Sequence, residues 1–204
     1  MAERRSLEPF LHPLKDLLHW LRKAGVPHLI IGGIATGFLG RPRATRDIDG
    51  IVFLDIADLD RFYALASVFG FVPRRENALA FARRRRILLM HHKPSAIDVD
   101  LSLGALPFED EAIRRGHQYL LGSLKIPLPT PEDLIIMKAT AHRDVDLKDI
   151  EGLIAAHPDL DRRRIRRWVK EFARVLEMPE IFDDVNRLLT SVPQRAKRPQ
   201  KRKK

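Results

Sequence analysis

The sequence predicts an α+β fold, in which a mixed β-sheet core packs on helices and a helical C-terminal subdomain follows. Two observations predict it. Short apolar segments bounded by Gly and Pro recur up to about residue 128, which is typical of strands and short connecting helices. Beyond that point apolar residues recur only at helical spacing. We therefore expect an α+β core at 1–128, a helical subdomain at 129–192 and a disordered basic tail at 193–204.

Periodicity and turn residues predict the elements in order. An amphipathic helix at 8–24 ends at Gly25, and a buried strand at 26–31 leads through Gly32 and Gly33 into a short helix at 34–39. Further strands are expected at 46–54, 71–73, 79–90 and 96–103, with a strand pair within 119–126. Further helices are expected at 59–69, which Asp58 would cap, and at 107–116, 131–142, 145–156, 161–176 and 179–191.

Composition excludes several classes of protein. The 204 residues contain no cysteine, which rules out a disulfide scaffold, a thiolate zinc site and a cysteine nucleophile. The longest apolar runs fall far short of the ~20 residues that a membrane-spanning helix needs. We expect a cytoplasmic protein with no membrane partner.

The net charge of +10 lies mostly at one end of the chain. Residues 195–204 hold seven positive charges and no negative one, which leaves +3 for residues 1–194. Such a tail is either a solubilising end or an arm that binds phosphates in a salt-sensitive way. Arginine clusters at 83–86 and 162–167 add to the case for a polyanionic partner.

Two pairs of aspartates carry the chemistry. In a strand, side chains alternate between faces, so Asp47 and Asp49 point the same way with Cβ atoms about 6–7 Å apart. Asp98 and Asp100 repeat this spacing in another predicted strand. If the two strands are neighbours, one member of the second pair completes a cluster of three carboxylates. Carboxylate oxygens together with substrate phosphates suit Mg²⁺, and two such ions support an in-line displacement at phosphorus.

Basic and glycine residues near these pairs are candidates for phosphate binding. Gly32 and Gly33 allow the backbone to approach a phosphate at a helix start. Arg43 and Arg46 either hold a triphosphate or belong to a solvated loop. Lys138 either reaches back to a phosphate or is an ordinary exposed lysine.

These residues resemble the nucleotidyltransferase superfamily that includes DNA polymerase beta. Its signature is Gly-Gly or Gly-Ser, a spacer, Asp-x-Asp and a third carboxylate on a later strand, and it is matched by Gly32, Gly33, Asp47, Asp49 and Asp100. The segment from Gly40 to Asp49 and the stretch from Pro131 to Asp149 are similar to the minimal, AbiEii-type toxin branch. The resemblance spans roughly residues 26–155. Gly33 departs from it where serine is common, and Asp98 competes as third carboxylate.

The resemblance implies a Mg²⁺-dependent enzyme that moves a nucleoside monophosphate from a nucleoside triphosphate to an acceptor hydroxyl and releases pyrophosphate. Asp47, Asp49 and Asp100 would be catalytic and would hold two metal ions, with Asp98 as the alternative third ligand. Gly32, Gly33, Arg43, Arg46 and Lys138 would bind the nucleotide. The acceptor would be a tRNA 3′ end or a side chain of a cognate partner protein, as expected of a toxin or antitoxin.

Two other functions stay open at this point. A non-catalytic or degenerate member of the fold would bind RNA or a partner protein without transferring anything. An enzyme that modifies a small molecule such as an antibiotic would more naturally have acidic surroundings than these arginines.

His91 and His92 are adjacent in a strand, so they face opposite sides and do not easily share one metal.

Overall fold

The structure is a computed structural model that describes residues 7–191, and the predicted basic tail at 193–204 lies outside the described residues. The chain divides into two compact units. The first contains the described residues up to Phe38 together with Pro42–Thr130. The second contains Leu39–Arg41 and the described residues from Pro131 onward.

A five-stranded sheet in the order β1-β2-β5-β4-β3 forms the centre of the first unit. Its strands are β1 (His28–Ile30), β2 (Asp47–Phe53), β3 (Phe71–Pro73), β4 (Ile87–His92) and β5 (Ile97–Gly104). β2 and β5 run parallel, whereas the other neighbouring strands run antiparallel. A separate antiparallel pair is formed by β6 (His117–Leu121) and β7 (Leu124–Leu128). The predicted α+β fold with a mixed sheet is therefore confirmed.

Within the described residues of the first unit, five α-helices precede, connect or follow these strands in the chain. They are α1 (Leu11–Ala24), α2 (Gly32–Leu39), α3 (Leu59–Ala64), α4 (Ala78–Arg85) and α5 (Pro107–Arg115). The apolar residues of α1 are buried at helical spacing, and the helix ends at Gly25 in the left-handed conformation, as predicted. Trp20 is fully buried, stacks on Phe62 at 4.6 Å between ring centroids and donates a hydrogen bond to the Phe62 carbonyl.

Two sequence predictions in this unit are wrong in part. Residues 79–85, predicted as the first half of a strand, belong to α4, and only Ile87–His92 is strand. Alanine and arginine favour a helix, and the buried Ala78 and Ala82 lie one helical turn apart. The helix expected at 59–69 ends at Ala64 and gives way to a 3-10 turn, and Asp58 makes no side-chain cap.

The second unit is helical, as predicted. It consists of α6 (Pro131–Ala141), α7 (Asp144–Ala156), α8 (Arg162–Val175) and α9 (Pro179–Ser191). Asp161 caps α8, since its Oδ1 accepts hydrogen bonds from the backbone amides of Arg163 and Arg164. Within residues 7–191, no helix has the length and the apolar character that crossing a membrane requires.

Candidate active site

The acidic residues of β2 and β5 share one face of the sheet. The parallel pairing sets Asp47 opposite Asp98 and Asp49 opposite Asp100. Residues paired in adjacent strands point to the same side, so all four carboxylates lie on one face. The alternate positions, such as Ile48 opposite Val99, are buried. The apolar face therefore anchors the strands, and the acidic face presents four carboxylates.

Gly32 lets the Asp49 carboxylate come close to the start of α2. Gly32 has φ +58, and a Cβ built there would stand 2.7 Å from the Asp49 Cβ and closer still to its carboxylate. A Cβ on Gly33 would stand 2.5 Å from Thr45 Oγ1. The Ile31 amide donates to the Asp49 carbonyl at 2.9 Å, which joins the glycine turn to β2. The two glycines thus leave the space that the acidic strand fills.

We expect replacement of Gly32 by alanine to destabilise the first unit by about 2–3 kcal/mol, because the left-handed conformation and the displaced Asp49 both cost free energy. Thermal unfolding measures it. Gly37→Ala on the same helix is the matched control, since a Cβ there meets nothing within 4 Å. That control should raise the unfolding free energy by about 0.5–1 kcal/mol. Equal effects of the two variants would contradict the close approach of Asp49 to Gly32.

The loop before β2 supplies a hydroxyl to the site. Thr45 Oγ1 donates to Asp47 Oδ1 at 3.1 Å, which orients that carboxylate. The exposed Arg46 precedes Asp47 in the chain, and Arg43 Nη1 donates to the Ala44 carbonyl at 3.1 Å. Both arginines are in the first unit with the carboxylates, and their role as triphosphate ligands stays a prediction.

Arg74 and His91 belong to the acidic face, although sequence reasoning did not select them. Arg74 Nη1 donates to Asp98 Oδ2 at 3.0 Å, and Arg74 Nη2 donates to Asp100. His91 Nδ1 lies 2.7 Å from Asp98 Oδ1. Arg74 directly follows the edge strand β3, whose pairing through β4 to β5 brings it there. No local pattern in the sequence signals the pairing of β3 with β4, because α4 separates these strands in the chain.

The pKa values of the two aspartates on β5 shift in opposite directions. Burial raises the pKa of Asp100, and the negative charges of Asp47 and Asp98 raise it further against the opposing charge of Arg74. Burial also acts to raise the pKa of Asp98, but the hydrogen bond with His91 and the charge of Arg74 lower it overall. Asp100 therefore takes up a proton more readily than Asp98.

The acidic face fits a divalent cation by its chemistry. Four carboxylates share this face with the guanidinium of Arg74 and the ring of His91, so carboxylates outnumber the cationic groups that contact them. Oxygen donors of this kind are the preferred ligands of Mg²⁺. In the described part of the chain, these carboxylates do not form a group of three with ligand atoms within 4.8 Å of one another. Arg74, bound to Asp98 and Asp100, holds part of the space.

An arginine-lined groove adjoins the acidic face through Arg74. The groove has a volume of about 660 Å³. Its lining residues come from the segment after β3 and from α4, and they are Arg74, Arg75, Glu76, Asn77, Ala80, Phe81 and Arg84. The Arg75 guanidinium lies 4.4 Å from the centroid of the Phe81 ring, which holds it in place by a cation–π contact.

Lys138 has other partners in the helical unit. Its Nζ donates to Asp146 Oδ1 at 3.1 Å and to Asp149 Oδ2 at 2.7 Å, and all three side chains are buried. Arg143 Nε donates to Asp146 Oδ2 at 2.6 Å. Although burial opposes it, these cations lower the pKa of Asp146. Of the two alternatives for Lys138, the ordinary exposed lysine is wrong, and the phosphate-binding role stays a prediction.

Comparison with known proteins identifies the fold. The antigenic nucleotidyltransferase-like protein from Paracoccidioides brasiliensis shares 14% identity, with 91% of this chain and 93% of that chain covered at a TM-score of 0.52. The solution structure of the antibiotic-resistance factor ANT(2″)-Ia shares 17% identity, with 81% and 92% covered at a TM-score of 0.54. This chain has the nucleotidyltransferase fold.

A crystal structure of ANT(2″)-Ia in complex with adenylyl-2″-tobramycin is also similar. It shares 19% identity with this chain, covers 79% of this chain and 95% of that chain, and has a TM-score of 0.51. No protein-family model matches the sequence, and no curated protein matches it either. The similarity therefore lies in the arrangement of strands and helices rather than in the sequence as a whole.

Proposed function

We propose that this protein is a nucleotidyltransferase that moves a nucleoside monophosphate from a nucleoside triphosphate to an acceptor hydroxyl. The observation that carries the proposal is the parallel register of β2 and β5, which sets two Asp-x-Asp pairs side by side next to the Gly32–Gly33 turn. The nucleotidyltransferase fold of the chain supports it.

In this proposal Asp47 and Asp49 hold Mg²⁺ with the triphosphate, and backbone amides at the Gly32–Gly33 turn bind phosphate oxygens. Bound Mg²⁺ supplies charge neutralisation and polarisation of the reacting oxygens. Asp100 takes the proton of the acceptor hydroxyl, whose oxygen forms a bond to the α-phosphorus. The bond from that phosphorus to the bridging oxygen breaks, and pyrophosphate leaves with its electron pair.

Asp100 is the better choice than Asp98 for the third carboxylate. It pairs directly with Asp49 in the strand register, and its raised pKa suits a group that accepts a proton. Asp98 is held by both His91 and Arg74. Arg74 must release Asp100 when the substrates bind, and the neighbouring groove offers the guanidinium an alternative place.

The groove favours a phosphate-bearing acceptor. Three of its lining residues are arginines, whose planar guanidinium groups suit phosphate oxygens, and the Phe81 ring offers a surface for a base. A polycationic acceptor would be repelled by the same charges. We therefore propose an RNA 3′ end as the acceptor, with tRNA as the candidate suggested by the resemblance to the AbiEii-type branch.

One labelling experiment tests the reaction. The protein is incubated with each radiolabelled nucleoside triphosphate, Mg²⁺, total RNA and total cellular protein, and the labelled polymer is identified. Label on RNA supports the proposal, whereas label on protein would move the acceptor to a cognate partner. No label with any triphosphate, together with RNA binding, would favour the non-catalytic alternative.

We expect the double replacement of Arg75 and Arg84 by glutamine to weaken RNA binding and to reduce its salt dependence. Loss of two single-strand phosphate contacts makes the slope of log binding constant against log salt concentration shallower by about 1.4. Arg85→Gln is the matched control. Arg85 is exposed on α4, the helix that also carries Arg84, but it does not line the groove. An unchanged slope in the double variant would remove the groove from the acceptor site.

We also propose that the protein acts as the toxin of a toxin–antitoxin system and that it works in the cytoplasm. The resemblance of residues 26–155 to the toxin branch supports the role, and the absence of cysteine is consistent with a reducing compartment. Expression of the protein in a bacterial host should arrest growth, and an active-site variant should not. Normal growth with full transfer activity would contradict the toxin role alone.

A further inference from the structure

A second cluster of ligating side chains lies behind the sheet. In β4 the side chains alternate, so His91 joins the acidic face while His92 points to the opposite face and is fully buried. There His92 meets His12 and Asp16, which lie four residues apart on α1 and therefore on one side of that helix. The proposed transfer reaction uses none of these three residues.

The three side chains are arranged around one carboxylate oxygen. Asp16 Oδ2 lies 3.2 Å from His12 Nε2 and 3.1 Å from His92 Nε2. One ligand atom from each of the three lies within 4.8 Å of those of the other two. We propose that His12, Asp16 and His92 form a binding site for a transition-metal divalent cation of the zinc type, distinct from the Mg²⁺ that the acidic face would take.

The distances agree with tetrahedral coordination. Zinc binds histidine nitrogen and carboxylate oxygen at about 2.0–2.2 Å, which sets the ligand atoms of a tetrahedron roughly 3.3 Å apart. The two distances to Asp16 Oδ2 are already close to that value. The ligand atoms of the two histidines lie within 4.8 Å of each other, so a cation bound to all three residues draws these two side chains together by at most about 1.5 Å.

The surroundings of His92 match those of a metal ligand. Its Nδ1 lies 2.7 Å from Ser95 Oγ, so the outer nitrogen has a partner and Nε2 is directed at Asp16. Phe71 packs against the ring at 4.8 Å between centroids.

The ligand types select the class of metal. Imidazole nitrogen suits zinc, copper, nickel and iron, whereas Mg²⁺ prefers oxygen donors. The His12 side chain is 59% exposed, so a cation can reach the site from solvent. A bound ion would cross-link α1 to β4, because His12 and Asp16 lie on α1 and His92 lies on β4. The neighbouring residue of β4, His91, contacts the carboxylate of Asp98.

Metal binding to the full-length protein tests this proposal. The protein is treated with a chelator, and Zn²⁺ binding is measured by calorimetry in millimolar Mg²⁺, with Co²⁺ used as a spectroscopic probe. We expect one site, an intense visible Co²⁺ band of tetrahedral type and a Zn²⁺-dependent rise in Tm. His12→Ala should weaken Zn²⁺ binding at least tenfold and abolish the rise in Tm.

The control variant is His19→Ala, because His19 is exposed on the same helix and is outside the cluster. It should bind Zn²⁺ like the unmodified protein. His12 is exposed, so its replacement leaves the core intact, and a circular dichroism spectrum checks the fold. Equal Zn²⁺ affinity of the His12→Ala variant and the unmodified protein would overturn the proposal. So would a weak octahedral Co²⁺ spectrum.

Discussion

Replacing Asp49 with asparagine should abolish nucleotidyl transfer while the fold stays intact. The change removes one negative charge and one anionic oxygen from the acidic face, where Asp49 pairs with Asp100 and packs against Gly32. Loss of an outer-shell partner of a metal ligand already costs about 10–100-fold. Loss of a ligand itself should cost more than about 100-fold in kcat/KM, measured by release of pyrophosphate.

The stability of this variant separates a catalytic role from a structural one. Four carboxylates on one face repel one another, so Asp49→Asn should leave Tm unchanged or raise it. Asp58→Asn is the matched control, because Asp58 is exposed and makes no side-chain cap. Full activity of Asp49→Asn would exclude Asp49 from the catalytic set.

Replacing Lys138 with methionine should strongly destabilise the helical unit. The ammonium group lies between the buried carboxylates of Asp146 and Asp149, and its loss leaves buried negative charge without that partner. Removing one partner of a buried ion pair typically costs about 3–5 kcal/mol. Denaturant or thermal unfolding should show a loss of this size. Lys148→Met is the control, since Lys148 is exposed on α7.

The pH dependence of this loss has a definite sign. In the unmodified protein the pKa of Asp146 is lowered, so its contribution to stability is present above the ordinary value of about 3.9 and is lost as pH falls through the folded-state value. In the variant, the buried carboxylate of Asp146 has lost the ammonium group that lowers its pKa, so it binds a proton more readily than in the unmodified protein. The difference in unfolding free energy between the unmodified protein and Lys138→Met should therefore narrow as pH falls. A difference that stays constant down to pH 3 would contradict the lowered pKa of Asp146.

Strand periodicity predicted much of the acidic site. The two-residue spacing of each Asp pair set the common face within each strand. β2 lies within the predicted segment 46–54, and β5 runs one residue past the predicted segment 96–103. The Gly-Gly turn likewise follows from local residue types. The α4 segment was mispredicted because its apolar residues occur at a spacing that fits both a short buried strand and a helix.

Partners distant in sequence were not predictable in the same way. Arg74 reaches Asp98 and Asp100 from 24 and 26 residues away. Its position depends on the pairing of β3 with β4, two strands that α4 separates in the chain, and on the pairing of β4 with β5. His92 contacts Asp16 from 76 residues away. The pattern of its own helix left Lys138 either exposed or in contact with a phosphate, whereas the structure buries it against two carboxylates of α7.

The sequence by itself determined the α+β class, the helical second half, the shared faces of the Asp pairs and the glycine turn, because each depends on residues close together in the chain. Only the tertiary structure decided that β2 and β5 are parallel neighbours in register, that Arg74 holds Asp98 and Asp100, and that two histidines and Asp16 meet behind β4. These features arise from packing between segments that are distant in the chain. Burial of apolar surface selects which strands pair and in which register, and that register fixes which polar side chains meet.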